Sequence, residues 1–242
     1  MRLDQLLVAR GLFDSRERAR RAVMAGEVRV DGQVVDKPGT AVGEPASLDV
    51  AARPPFVSRG GLKLAAALDH FAIDVRGRIC LDVGASTGGF TDCLLQRGAA
   101  RVYALDVGRG QLDWRLRQDP RVVAIEGVNA RHLAADALPE PCDLVTVDVS
   151  FISLLKVVPA LLPHLGGAGE LLALVKPQFE VGRAGVGKGG IVRDETLRQQ
   201  VIAQRVGQLA ALGLLPRGVI DSPVAGAEGN VEALAWFCRD PR

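Results

Sequence analysis

The stretch LDVGASTGGF, Leu81 to Phe90, follows the apolar lead-in Ile79-Cys80 and places three glycines in ten residues. An apolar run of strand length that ends in small residues and opens onto a helical stretch reads as the first strand-to-helix turn of an open α/β sheet. In such sheets ligands bind beyond the carboxyl ends of the strands. The same alternation continues outward through RVYALDVG, VVAIEGVN, CDLVTVDVS and ELLALVKP, each followed by a helical or turn segment. A long helix from about Asp194 to Ala211 and two final strands complete the chain. Apolar strand-length runs separated by helices predict a parallel sheet with helices on both faces.

Three ligands compete for the loop. A dinucleotide fingerprint, G-x-G-x-x-G, is not met, because Ser86 stands at its second glycine and Asp82 would face a pyrophosphate. Gly84 to Gly88 does match G-x-S-x-G, the nucleophile elbow of α/β-hydrolases, in the right strand-turn-helix setting. That chemistry also needs a late histidine and an oxyanion loop upstream, whereas the last histidine is His164 and no H-G-G-G run occurs. The third ligand is S-adenosylmethionine, which is cationic and carries no phosphate. An acid at the strand end, Asp82, suits it, and small residues let the backbone approach. Asp106, at the end of the second strand, is placed for ribose hydroxyls, although such an acid also serves NAD enzymes.

The first fifty residues differ in texture. Leu3, Leu6, Leu7 and Ala9 share one helical face, Gly11 ends that helix, and Asp14 or Ser15 caps a second one rich in arginine. GEVRVDGQVV then predicts two short strands around Asp31-Gly32. Arg2, Arg10, Arg16, Arg18, Arg20 and Arg21 crowd this region, opposed locally by Asp14 and Glu17. The segment VAARPPFVSRGGLKL, with paired prolines and glycines, reads as a connection. The expected organisation is a small unit over residues 1–52, a linker over 53–61 and a larger domain over 62–242.

Bulk properties restrict the function classes. A net charge of +2 is too mild to identify a nucleic-acid partner, so placement of the arginines has to carry that reading. Cys80, Cys93, Cys142 and Cys238 show no C-x-x-C spacing and lie in apolar segments, as buried thiols in a reducing cytoplasm would. No apolar run reaches spanning length, so neither export nor a membrane partner is expected.

R-L-D-Q-L-L-V, S-R-x-x-A-R, G-x-V-x-V-D-G and V-x-K-P occur in order over roughly residues 1–50 and resemble the S4 RNA-binding domain, an α+β fold. S-R-G-G-L-K-L, D-V-G-A-S-T-G-G-F-T, D-V-G-R-G-Q-L, D-V-S-F-I-S, V-K-P-Q-F-E and G-N-V-E resemble the FtsJ-type ribose 2′-O-methyltransferase, a Rossmann-like class I fold. Together they resemble the TlyA family, whose members also carry the label hemolysin. The resemblance implies a cofactor loop over Asp82, Gly84, Ser86, Gly88, Gly89, Phe90 and Thr91, a ribose acid at Asp106, and Asn129 against the adenine. It implies a Lys-Asp-Lys-Glu quartet at Lys63, Asp148, Lys176 and Glu232. It also implies RNA contacts at the six arginines above and at Arg59, while the glycine-rich loop VGRAGVGKGGIVRD, with Arg183, Lys188 and Arg193 interspersed, reads either as a mobile lid whose Lys188 meets RNA phosphates or as a flexible solvated loop. The implied substrate is cytidine in ribosomal RNA, of the large subunit first and the small subunit as an alternative.

These residue types suit the chemistry. A ribose hydroxyl attacks poorly until a base takes its proton, and a lysine does so only when its pKa falls well below about 10.4. A nearby cation and partial desolvation both act in that direction. Lys176 is therefore expected as the base, with Lys63 assisting and Asp148 and Glu232 orienting; no metal is called for. Among rivals, adenine-directed enzymes carry an Asn-Pro-Pro-Tyr-like motif where Asp148-Val149-Ser150-Phe151 stands, and cytosine C5 enzymes need a nucleophilic cysteine, whereas Cys142 begins its strand. An RNA-binding assembly factor without transfer activity and a membrane-active hemolysin remain as the non-enzyme alternatives.

Overall fold

A computed structural model describes residues 1–50, 54–182, 185–187, 189–226 and 228–240. The chain forms two compact units, Met1–Pro54 and Pro55–Arg242.

In the first unit, helices α1 (Leu3–Ala9) and α2 (Arg16–Met24) pack on a small sheet of β1 (Val28–Val30), β2 (Gln33–Val34) and β3 (Leu48–Val50), in the order β2-β1-β3. Leu3, Leu6 and Leu7 of α1 meet Ala19, Ala22 and Val23 of α2 in an apolar core. Ser15 caps α2 by accepting from the Arg18 N–H. Asp31 and Gly32 both take positive φ, at 51° and 81°, and so turn β1 into β2 as a tight hairpin requires.

The second unit is a seven-stranded sheet in the order β6-β5-β4-β7-β8-β10-β9. Its strands are β4 (Ile79–Val83), β5 (Arg101–Asp106), β6 (Val122–Glu126), β7 (Cys142–Val147), β8 (Leu165–Val175), β9 (Leu214–Asp221) and β10 (Ala233–Arg239). The helices are α3 (Gly60–His70), α4 (Gly89–Gln96), α5 (Trp114–Gln118), α6 (Leu154–Leu161), α7 (Pro177–Glu180) and α8 (Glu195–Ala210). Strands β6, β5, β4, β7 and β8 run parallel, while β10 is antiparallel to both β8 and β9, so the sheet is mixed where the alternation predicted a parallel one. The reason lies in the last connection: between β9 and β10 the described residues form no crossover helix, and so short a connection gives an antiparallel neighbour.

Alternate residues of the central strands feed two cores, one on each face. Leu81, Val83, Val145 and Val147 belong to one; Cys80, Leu144 and Leu172 belong to the other. The four cysteines are free thiols, and burial pushes those of Cys93 and Cys142 up to about 12. Residues 55–61, expected as linker, are part of this unit. Val57 donates its N–H to Asp92 Oδ2 at 2.8 Å, and Gly61 lies so close to the Phe56 ring that a β-carbon there would overlap it.

Candidate active site

The cofactor-type loop sits where the sequence placed it, between β4 and α4, at the centre of the sheet. Gly84 has φ +84°, and a β-carbon on it would run into the backbone carbonyl of Asp148. Gly88 has φ +96°, and a β-carbon there would strike Leu112 and Leu116. Both glycines are therefore required by backbone conformation and by close approach, at the two ends of the loop.

Two clefts meet over this loop, sharing Gly84, Ser86, Asp148, Ser150 and Phe151 in their walls. One, of about 520 Å³, is lined by Asp106, Val107, Gln111, Val128, Asn129 and Ile152 among others. Asp106 receives the Ser86 N–H on Oδ2 at 2.8 Å and the Gly108 N–H on Oδ1 at 2.7 Å, which fixes the carboxylate at the end of β5. Asn129 Oδ1 caps the following turn by accepting from the Arg131 N–H at 3.0 Å, which leaves its amide nitrogen for a ligand. A fixed acid, an amide and apolar walls match a nucleoside: hydroxyls for Asp106, a base for Asn129 and the apolar side chains.

The other cleft, of about 370 Å³, holds all four members of the expected quartet. Lys63 comes from the first turn of α3, Asp148 follows β7, Lys176 follows β8 and Glu232 precedes β10. They form two ion pairs: Lys63 Nζ to Glu232 Oε2 at 2.5 Å and Lys176 Nζ to Asp148 Oδ1 at 2.6 Å. Lys63, Lys176 and Glu232 are 8%, 9% and 2% exposed, so these are charges brought into the protein, as only paired charges can be. Lys176 also donates to Ser150 Oγ at 2.9 Å, and Gln178 Nε2 reaches Glu232 Oε1 at 3.4 Å. Neither Ser150 nor Gln178 was singled out from the sequence, although both lie inside motifs quoted there.

Asp82 is placed differently from the expectation. Its side chain is 0% exposed and lines neither cleft. The carboxylate accepts from Thr91 Oγ1 at 2.7 Å and Thr146 Oγ1 at 3.2 Å, so it braces the loop from beneath and does not face a ligand. Thr91 is buried with it. Burial pushes the Asp82 carboxyl up to about 7, and the charge of Asp148 adds to that rise, against the opposing hydrogen bonds from the threonines. Alternation along β4 explains the placement: the last ligand-facing atoms belong to the loop, while position 82 points into the face shared with α4.

Glu180, at the end of the V-K-P-Q-F-E motif, is architectural. It pairs with Arg205 of α8 at 2.8 Å and accepts the Leu154 N–H at 2.8 Å, which caps α6. Asn230, of G-N-V-E, accepts from the Val192 N–H at 3.0 Å and donates to the Gly190 carbonyl at 2.9 Å, holding one end of the glycine-rich loop. Lys188 and Arg183 of that loop lie outside the described residues.

Residues 56–239 match the FtsJ-like methyltransferase family and residues 1–45 match the S4 domain. The 16S/23S rRNA (cytidine-2′-O)-methyltransferase TlyA of Mycobacterium tuberculosis is 50% identical over 98% of this chain and 89% of its own length. The chain belongs to the TlyA family. Hemolysin A of Brachyspira hyodysenteriae is 42% identical over 98% of this chain and 99% of its own. A solved structure titled putative hemolysin from Streptococcus thermophilus superposes with a TM-score of 0.76 at 43% identity, covering 99% of this chain and 88% of that one. The family pairing of an S4 unit with an FtsJ-like unit is the arrangement seen here.

The S4 arginines are more occupied than a count of cations suggests. Arg2 and Arg16 both bind the buried Asp4, at 3.1 and 2.9 Å. Together they hold its carboxyl at about 2. Arg10 donates to the Ala46 carbonyl at 2.7 Å and also to that of Glu44; Arg18 pairs with Asp14 and Arg21 with Glu17. Arg20 is exposed and, of the six, is the one without an ion pair or hydrogen bond among the described residues. Arg59 is exposed at the mouth of the quartet's cleft.

Proposed function

We propose that this chain transfers the methyl group of S-adenosylmethionine to the ribose 2′-hydroxyl of a cytidine in ribosomal RNA, in the cytoplasm where ribosomes are assembled. The observation that carries this reading is the convergence of two lysine–carboxylate pairs on one cleft that shares its wall with a second, lined by a fixed acid, an amide and apolar side chains. The cofactor, when bound, supplies an electrophilic methyl on a sulfonium. Asp106, Asn129 and the loop Gly84–Ser86 would hold its nucleoside and orient it.

The remaining work falls to the side chains of the quartet. Lys176, in its unprotonated form, takes the proton from the attacking hydroxyl, and Asp148 then holds the ammonium that results. Lys63, anchored by Glu232, presents a positive charge where the hydroxyl gains negative character. Phe151, 88% exposed and packed against Phe179 with ring centroids 5.1 Å apart, offers an aromatic face at the mouth for an unstacked base. The S4 unit supplies sequence-independent grip on folded RNA.

The name of the mycobacterial relative covers both 16S and 23S rRNA, so both subunits belong in the test. Purified small and large subunits lacking the modification are incubated with the protein and labelled S-adenosylmethionine, and the product is mapped by 2′-O-methyl-sensitive primer extension. A ribose stop that disappears with Lys176→Ala, while cofactor binding by calorimetry persists, is the expected result. Near-normal turnover of that variant sinks the base assignment. RNA bound without transfer, by protein that binds the cofactor, would mark an assembly factor.

A further inference from the structure

We propose that Ser150 is a positioning residue for the base: its hydroxyl accepts the hydrogen bond that orients Lys176 Nζ beside the Asp148 carboxylate. This inference rests on the methyl-transfer reading above and on Lys176 as base.

The argument is an inventory of one nitrogen. An unprotonated lysine amine has two N–H bonds and one lone pair, and it rotates freely about its last carbon–nitrogen bond. Asp148 Oδ1 lies 2.6 Å and Ser150 Oγ 2.9 Å from Lys176 Nζ. Of the two, the Ser150 contact is the one with hydrogen-bond geometry, so Ser150 is the acceptor that sets how the amine is turned, while Asp148 holds it by charge. Asp148 by itself, close in charge contact but making no hydrogen bond to Lys176, would leave the amine free to turn, with its lone pair sweeping past the substrate.

The backbone around Ser150 is built to hold that acceptor still. Upstream, the Asp148 N–H donates to the Val83 carbonyl at 2.9 Å, and the Asp148 carbonyl abuts the Cα of Gly84 with no space for a side chain. Downstream, Ser153 caps α6 and Leu154 donates to the buried Glu180. Between these anchors Phe151 takes φ +64°, a left-handed conformation that a bulky non-glycine residue rarely adopts. That single bend lets the Ser150 hydroxyl reach Lys176 while the ring of residue 151 projects outward. Strain of this kind persists only where the surroundings over-determine it, and it gathers at functional sites.

The proton balance is complete with these groups. As the ribose oxygen bonds to the methyl carbon, the sulfur–methyl bond breaks and its electron pair stays on sulfur as a thioether. The hydroxyl proton passes to Lys176 Nζ, and the resulting ammonium pairs with the Asp148 carboxylate while it donates to Ser150.

The test uses the full-length protein, S-adenosylmethionine and unmodified ribosomal subunits, with Ser150→Ala, Ser150→Thr and Lys176→Ala in parallel. Ser150→Ala is expected to lower kcat roughly tenfold to hundredfold, the scale of a misplaced reacting group. KM for RNA and the calorimetric affinity for the cofactor stay within about twofold. Ser150→Thr, which keeps the hydroxyl, should recover most of the rate. Wild-type kcat in Ser150→Ala overturns the proposal, as does an equal loss in the alanine and threonine variants. A change confined to KM or to cofactor affinity overturns it too, because it would make Ser150 a ligand contact. Should Lys176→Ala itself turn over, the reading of Lys176 as base fails, a result distinguishable from failure of Ser150 alone.

Discussion

Asp82 makes this protein's stability depend on pH in an unusual direction. Its carboxyl is raised from 3.8 to about 7, chiefly by burial. Between those two values the folded protein keeps a proton that the unfolded chain releases, so this group's contribution falls as pH rises through the window and is level above it. A rise of roughly three units at about 1.4 kcal/mol each puts the full penalty near 4 kcal/mol. Asp82→Asn removes the titration and keeps an amide of the same shape between Thr91 and Thr146. The variant's stability relative to wild type should therefore grow by about 3 kcal/mol between about pH 5 and about pH 8. Urea unfolding followed by tryptophan fluorescence measures this cleanly, because Trp114 and Trp236 both lie in the second unit and none lies in the S4 unit. Reporting on one unit keeps the two-state treatment applicable. A stability difference that stays level across that pH range, or shrinks as pH rises, would refute the account of Asp82 as a buried brace.

Two further outcomes test the binding residues. Asp106→Ala should raise the dissociation constant for S-adenosylmethionine roughly tenfold to hundredfold, the loss expected for charged hydrogen bonds, with calorimetry as the measurement; unchanged affinity would remove Asp106 from the nucleoside site. Arg20→Ala should weaken binding to ribosomal RNA fragments and reduce the slope of log affinity against log salt by about 1. Arg16→Ala instead loosens Asp4 and should show first in the melting of the S4 unit, so identical effects of the two variants on RNA binding would reject the distinction drawn between them.

Much of the site was legible because its chemistry lies at strand ends. Apolar runs announce strands, and the residue after each run is carried to the carboxyl edge of the sheet; Asp106, Asp148 and Lys176 follow from that rule. Lys63 and Glu232 do not, since one lies on a helix before the first strand of the large sheet and the other before its last strand; family motifs supplied them. Asp82 was misplaced because a strand-end acid reads the same whether its side chain faces the cleft or the neighbouring helix. Asp14 and Glu17 are legible as partners of the S4 arginines because they are near in sequence, whereas sequence distance hides a partner such as Asp4, twelve residues from Arg16. The antiparallel direction of β10 is not legible in the sequence, because strand direction depends on the connection and not on the strand's own composition.

The amino-acid sequence by itself determined the two-unit organisation, the glycine loop and the residue types available for methyl transfer, because periodicity and backbone permissiveness are local properties. Tertiary structure alone decided which charges pair. Lys63 and Glu232 are separated by 169 residues and meet at 2.5 Å, because the helix before β4 and the loop before β10 both reach one cleft over the sheet. It also decided that Ser150 reaches Lys176, since that contact depends on a left-handed bend at Phe151 held by anchors on β4, α6 and α7. Local preference alone would avoid that bend, and it is the hydrogen bonds at either side of it, from Asp148 to Val83 and from Leu154 to Glu180, that frame it.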